Sequence, residues 1–124
     1  MGNVKVLTGN YSAAEAAALC RLDLIAAYPI TPQSSVVEHL AELVHNGEID
    51  ASLVQVESEH SAMSVVQGAA AGGGRVFTAT SAQGLALMYE PYFRMSTLRL
   101  LMVMALATRE MTSPERCGAG SRMQ

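Results

Sequence analysis

Short apolar runs alternate along this chain with longer, alanine-rich stretches, and that alternation is the feature that most narrows its possible folds. A brief, uninterrupted apolar run is what a strand buried on both faces looks like, and Ala-rich amphipathic stretches between such runs suit helices packed closely on a sheet. The pattern predicts an α/β fold, a mostly parallel sheet with helices on both faces. Strands are expected near residues 4–7, 24–27, 53–56, 75–80 and 100–107.

Helix signals lie between these strands. Ser12 with Glu15 three residues later has capping-box spacing and starts a first helix that reaches about Arg21. Thr31-Pro32 opens a second, because proline is tolerated in a first turn; Val36, Val37, Leu40, Leu43 and Val44 form its apolar face, and Asn46-Gly47 ends it. A third runs from Glu59 until Gly72-Gly73-Gly74 stops it, and a fourth from Gln83 to Met95 is bent by Pro91. Residues 110–124 carry neither period, so the reading is a partial domain over residues 1–109 followed by a loose, disordered tail.

The totals exclude several function classes. At net charge −3 and without a Lys/Arg cluster, the chain lacks the electrostatic footprint of a nucleic-acid binder. Residues 100–107, the longest apolar run, fall well short of a membrane span, and the first residues resemble neither a signal nor a transit peptide, so a cytoplasmic location is expected. Cys20 and Cys117 are far apart with no ligand-spaced histidine, so the sequence predicts no metal site of its own.

Polar residues collect where the strands are expected to end, the edge at which open α/β sheets bind ligands. Tyr28-Pro29-Ile30-Thr31-Pro32-Gln33 follows the second strand; Thr31 reads as a helix N-cap by residue type, a role compatible with facing the crevice. Val56-Glu57-Ser58-Glu59-His60-Ser61 follows the third, where the two carboxylates are expected to face different sides, one toward solvent and the other toward the crevice. Thr78-Ala79-Thr80-Ser81-Ala82-Gln83-Gly84 is a hydroxyl- and amide-rich loop after the fourth, and Arg109 follows the last. Each also has a plain reading as a cap or a solvated charge. Met88, Met95, Met102 and Met104 read as core packing.

Taken in order and spacing, Ala27-Tyr28-Pro29-Ile30-Thr31-Pro32-Gln33, Glu57-Ser58-Glu59-His60-Ser61-Ala62, Arg75-Val76-Phe77-Thr78-Ala79-Thr80-Ser81-Ala82-Gln83-Gly84 and the strand closing at Arg109 resemble the α-subunit pyrimidine-binding domain of 2-oxoacid:ferredoxin oxidoreductases. The resemblance implies thiamine diphosphate as cofactor. It implies that Glu59, rather than Glu57, hydrogen-bonds N1′ of the aminopyrimidine as the catalytic carboxylate, with Pro29 and Gln83 lining the cofactor. Thr31 and Arg109 would bind the 2-oxoacid, and the cofactor would act as electron sink during decarboxylation. Electrons would leave through iron–sulfur clusters to ferredoxin, and coenzyme A would take the acyl group.

The family's Gly-Asp-Gly diphosphate and Mg²⁺ motif has no counterpart here. Mg²⁺ and the iron–sulfur clusters are therefore expected on other chains, among β-, γ- and δ-type subunits, and this chain is not expected to be active alone. After Arg109 the sequence departs from the family's continuation, which reads as truncation or a shifted frame. The alternatives are an inactive remnant that at most binds a partner, and a flavodoxin-like module whose phosphate loop would be the poorly matching Gly9-Asn10-Tyr11-Ser12-Ala13.

Overall fold

The computed structural model of the chain describes residues 4–108. Its strands β1 (Leu24–Ala27), β2 (Ser52–Gln55), β3 (Val76–Ser81) and β4 (Val103–Ala107) form one all-parallel sheet in the order β2-β1-β3-β4. Helices α1 (Gly9–Ala18), α2 (Ser34–His45), α3 (Glu59–Ala71), α4 (Gln83–Leu87) and α5 (Tyr89–Thr97) surround it.

Strand alternation divides the core in two. Ile25, Phe77 and Ala79 point to one face and pack with Ala14 and Ala17 of α1 and Val36 and Leu40 of α2. Their neighbours Ala26 and Val76 point to the other, against Ala62, Met63 and Val66 of α3, with Met88 and Met95 completing that layer. The expected α/β class with helices on both faces is therefore what forms. Each fully buried Ile, Leu or Met contributes roughly 1.5–3 kcal/mol through burial. The small alanines of α1 let it lie close to α2 and the sheet.

The details differ from expectation in several places. Residues 4–7 make no strand: Val4 and Val6 are 97% and 100% exposed, and no ladder pairs this segment with the sheet. Helix α1 starts earlier, because Thr8 rather than Ser12 caps it, accepting the Tyr11 amide at 3.3 Å. The fourth helix is two: the ring of Pro91 opposes the carbonyl four residues before it, and α4 ends at that residue, Leu87, while Pro91 sits in the permissive first turn of α5. The last strand begins at Val103 instead of residue 100. Helix α3 behaves as read, with Gly72 as its C-cap and Gly73 at φ +88°, a left-handed turn that glycine adopts freely. The predicted tail over residues 110–124 and the predicted site residue Arg109 lie outside the described residues.

Glu15 does not close a capping box. It accepts hydrogen bonds from Lys5 Nζ at 2.9 Å and from His39 Nε2 at 3.2 Å, so it ties the N-terminal arm and α2 to α1. The hydrogen bond from Lys5, followed by that from His39, holds the Glu15 carboxyl below its ordinary value of 4.5, and Glu15 in turn raises Lys5. A depressed carboxyl stabilises the fold above its unfolded value and loses that contribution as pH falls through the folded one; a raised lysine contributes below its unfolded value and loses it as pH rises through the folded one. The pair is thus expected to act across the whole neutral range. Thermal melts of wild type and Glu15→Gln should differ near neutrality and converge as the pH drops below the ordinary carboxylate range; a gap that persists unchanged at acid pH would contradict this.

Candidate functional site

The strand order places a switch point between β1 and β3. The chain leaves β1 toward β2 by way of α2 on one face, then crosses back from β2 to β3 by way of α3 on the other. Connections departing in opposite directions leave a crevice at the carboxyl ends of β1 and β3. Ladder pairing between these strands is registered at Leu24–Val76 and Ile25–Phe77, below those ends. Continuing that offset brings the residues after Ala27 level with Thr80 and Ser81.

The two sides of the crevice are fastened together. Ser81 Oγ donates to the Thr31 carbonyl at 2.7 Å, joining the end of β3 to the β1–α2 loop. From the other side Asn10 Nδ2 donates to the Pro32 carbonyl and to Ser35 Oγ, both at 2.8 Å, and Gln33, fully buried, donates through Nε2 to the Tyr28 carbonyl at 3.2 Å. The Thr31–Pro32 peptide within this loop is cis. Thr31 is not the N-cap of α2: that position is Gln33, and Thr31 stands in the exposed turn before it. With the cap role removed, its side chain is left at the surface of the crevice loop.

On the opposite face Ser58 caps α3, its Oγ accepting the Ser61 amide at 3.1 Å, and this makes Glu59 the first helical residue. Glu57 is exposed while Glu59 is only 5% exposed, a division made by the turn into α3 and not by strand alternation, which would put i and i+2 on one side. A carboxylate there lies at the positive end of the helix. No hydrogen bond or ion pair engages it among the described residues, although an ionised carboxyl offers only acceptors. His60, by contrast, is exposed and paired with Glu90 at 3.2 Å, the ordinary surface role.

Two residues that sequence reasoning did not single out shape the space around Glu59. Gly84, buried in α4, has no room for a side chain: a Cβ would collide with Thr80 Oγ1 and come within 2.9 Å of Glu59 Oε1 and 3.0 Å of Glu59 Cγ. Thr80 itself is fully buried, and its hydroxyl has no partner among the described residues. The loop between them turns through Ala82 at φ +40°, a conformation that costs an alanine backbone strain. A Gly directly after Ser81-Ala82-Gln83 was the signal available, since glycine at a helix start beside a buried acid marks close approach.

The structure thus gathers Thr31, Ser81, Thr80, Gly84 and Glu59 around the end of β3, with Thr31 and Glu59 on opposite sides of it. Gln83 opens α4 in the same loop. Pro29 is set apart: it lines a cleft of about 420 Å³ with Ala27, Ser34, Val37, Leu53 and Val56, on the α2 face. Among the described residues no three His, Cys, Asp or Glu form a metal cluster, and no helix is long and apolar enough to cross a membrane. Residues 9–13 belong to α1 and follow no strand, which removes the phosphate loop of a flavodoxin-like module.

What the arrangement offers chemically is a buried carboxylate with free acceptor positions beside an unpaired hydroxyl. Such a site suits a flat heteroaromatic ring with a basic nitrogen. Residues 15–117 match the family model described as pyruvate flavodoxin/ferredoxin oxidoreductase, thiamine diphosphate-binding, a match that ends inside the 110–124 stretch set apart by the sequence reading. Pyruvate synthase subunit PorA of Methanocaldococcus jannaschii is 60% identical over 114 residues, covering 92% of this chain and 29% of that protein. Ketoisovalerate oxidoreductase subunit VorA of Pyrococcus horikoshii is 54% identical over 110 residues, covering 89% of this chain and 28% of that one. A solved structure, the 2-oxoglutarate:ferredoxin oxidoreductase of Magnetococcus marinus, superposes with a TM-score of 0.80 at 31% identity, over 86% of this chain and 18% of its own. The chain therefore spans under a third of the relatives it matches.

The Gly84 contact is open to direct measurement. Gly84→Ala should destabilise the fold by about 1–3 kcal/mol, as overpacking does where a strand residue cannot retreat. A denaturant melt within ~0.5 kcal/mol of wild type, the usual range for a surface change, would show that the gap is not tight.

Proposed function

Since the chain belongs to the thiamine diphosphate-binding family of pyruvate flavodoxin/ferredoxin oxidoreductases, we propose that it supplies the pyrimidine half of a thiamine diphosphate site shared with a β-type subunit. The assembled enzyme would be a 2-oxoacid:ferredoxin oxidoreductase converting pyruvate or a related 2-oxoacid into its acyl-CoA. Iron–sulfur clusters on companion γ- and δ-type chains would pass the electrons to ferredoxin. A cytoplasmic setting belongs to the same reading. The subunit names of the relatives, and the small share of them that this chain spans, support a site completed elsewhere.

The observation that carries the reading is the state of Glu59: buried at a helix N-terminus, with acceptor positions free, against a glycine that has no room for a side chain. Those residues fit an aminopyrimidine. Bound thiamine diphosphate supplies the electron sink that decarboxylation of a 2-oxoacid requires. Glu59 would hold the ring through one nitrogen and share a proton there, in the role of a general acid–base group. Gln83 would bound the ring, Pro29 would serve from the neighbouring cleft on the α2 face, and Thr31, exposed on the loop that Ser81 fastens, would donate to the 2-oxoacid. Arg109 would pair with its carboxylate, a contact that a guanidinium makes in bidentate fashion. Mg²⁺ and the diphosphate would be held by the companion chain.

Co-expression with a companion β-type chain should yield thiamine diphosphate-dependent oxidation of a 2-oxoacid. Loss of one positioned proton-transfer group costs about 10²–10⁴ in rate, so Glu59→Gln should fall by at least ~100-fold while still assembling. Unchanged turnover in an intact Glu59→Gln complex would end the assignment.

A further inference from the structure

We propose that Thr80 is a positioning residue for Glu59, its hydroxyl holding the carboxylate from the sheet side while the pyrimidine takes it from the crevice side. The inference rests on the reading of Glu59 given above. All six residues of β3 are buried, and in such a strand a threonine hydroxyl without a partner costs about 1–3 kcal/mol relative to a satisfied one. Valine would fill the same volume without that cost. Thr80 Oγ1 is nevertheless buried and unpaired, and it reaches the very point, the missing Cβ of Gly84, that Glu59 Oε1 approaches at 2.9 Å. An unpaired donor and a carboxylate short of donors therefore border the same point across one glycine, without a hydrogen bond between them in this structure.

The chemistry of the pair follows from their inventories. A hydroxyl rotates to donate or accept, so it can follow Glu59 as a proton is shared across the carboxyl. When the carboxylate is charged, the Thr80 hydroxyl donates to it; when it is protonated, the same oxygen can accept. Gly84 keeps this line open, since any side chain there would stand between the two groups. Thr78 is the natural comparison: it lies on the same side of β3 two residues earlier, fully buried and equally unpaired, but it is not among the nearest atoms at the Gly84 gap.

The test uses the enzyme assembled with its companion subunits, stripped of cofactor and titrated with thiamine diphosphate by calorimetry, with turnover measured in parallel. Thr80→Val should weaken thiamine diphosphate binding and lower kcat by about tenfold each, the scale of one hydrogen bond to a charged group, with KM for the 2-oxoacid within about twofold of wild type. Thr80→Ser should restore both, and Thr78→Val should bind the cofactor as wild type does. If Thr80→Val fails to assemble, Thr80→Ser against Thr80→Ala isolates the same hydroxyl. Wild-type binding in Thr80→Val, no rescue by serine, or equal loss in Thr78→Val would overturn the proposal. Glu59→Gln, run alongside, separates the two claims: if it binds and turns over normally, the site reading itself fails, whereas a crippled Glu59→Gln beside indifferent Thr80 variants defeats only the role of Thr80.

Discussion

The hydrogen bond from Ser81 Oγ to the Thr31 carbonyl bridges the place where β1 and β3 part, and the rest of the site is arranged around it. Parallel strands whose connections run to opposite faces must open at their carboxyl ends, and an open edge has no ladder to fix its loops. Here side chains do that work. Ser81 reaches to one side, Thr80 lies on the other, and Asn10 and Gln33 tie down the far end of the same β1–α2 loop. Moving the end of β3 by one residue would exchange the sides of Thr80 and Ser81 and uncouple both loops.

That alternation also explains why the site has two unlike halves. On the α2 face the hydrogen bonds of Ser81, Asn10 and Gln33 Nε2 pin the loop carrying Thr31, while Gln33 Oε1 has no partner among the described residues. On the α3 face the polar groups are left open: a capped helix start with a buried carboxylate, an unpaired hydroxyl and a glycine gap. Satisfied groups hold shape, whereas open ones are what a ligand can use.

Much of this was legible in the residues. Short apolar runs announced the two central strands, β1 and β3, because burial on both faces leaves no other use for them, and the acidic junction before α3 read as a capping cluster, the cap being Ser58. The arm at residues 4–7 misled because its apolar residues, interrupted by Lys5, resemble a strand locally but find no ladder partner. Thr31 misled as a cap because the turn inserts two more residues before α2 begins. Thr80, Ser81 and Gly84 were visible only as members of a polar loop; their separate roles depend on which side of β3 each takes and how near α3 passes, and neither is written in local sequence. Arg109 was read from its position after the last strand and lies beyond the described residues.

The central claim is that the segments around Glu59 and around the end of β3 together grip the pyrimidine of thiamine diphosphate. Amide hydrogen exchange on the assembled complex, with and without that cofactor, measures it directly, because exchange reports local opening segment by segment. The account predicts slowed exchange in residues 58–62 and 81–85 together when thiamine diphosphate is added. Protection confined to the companion chain, with both segments exchanging as before, would contradict it.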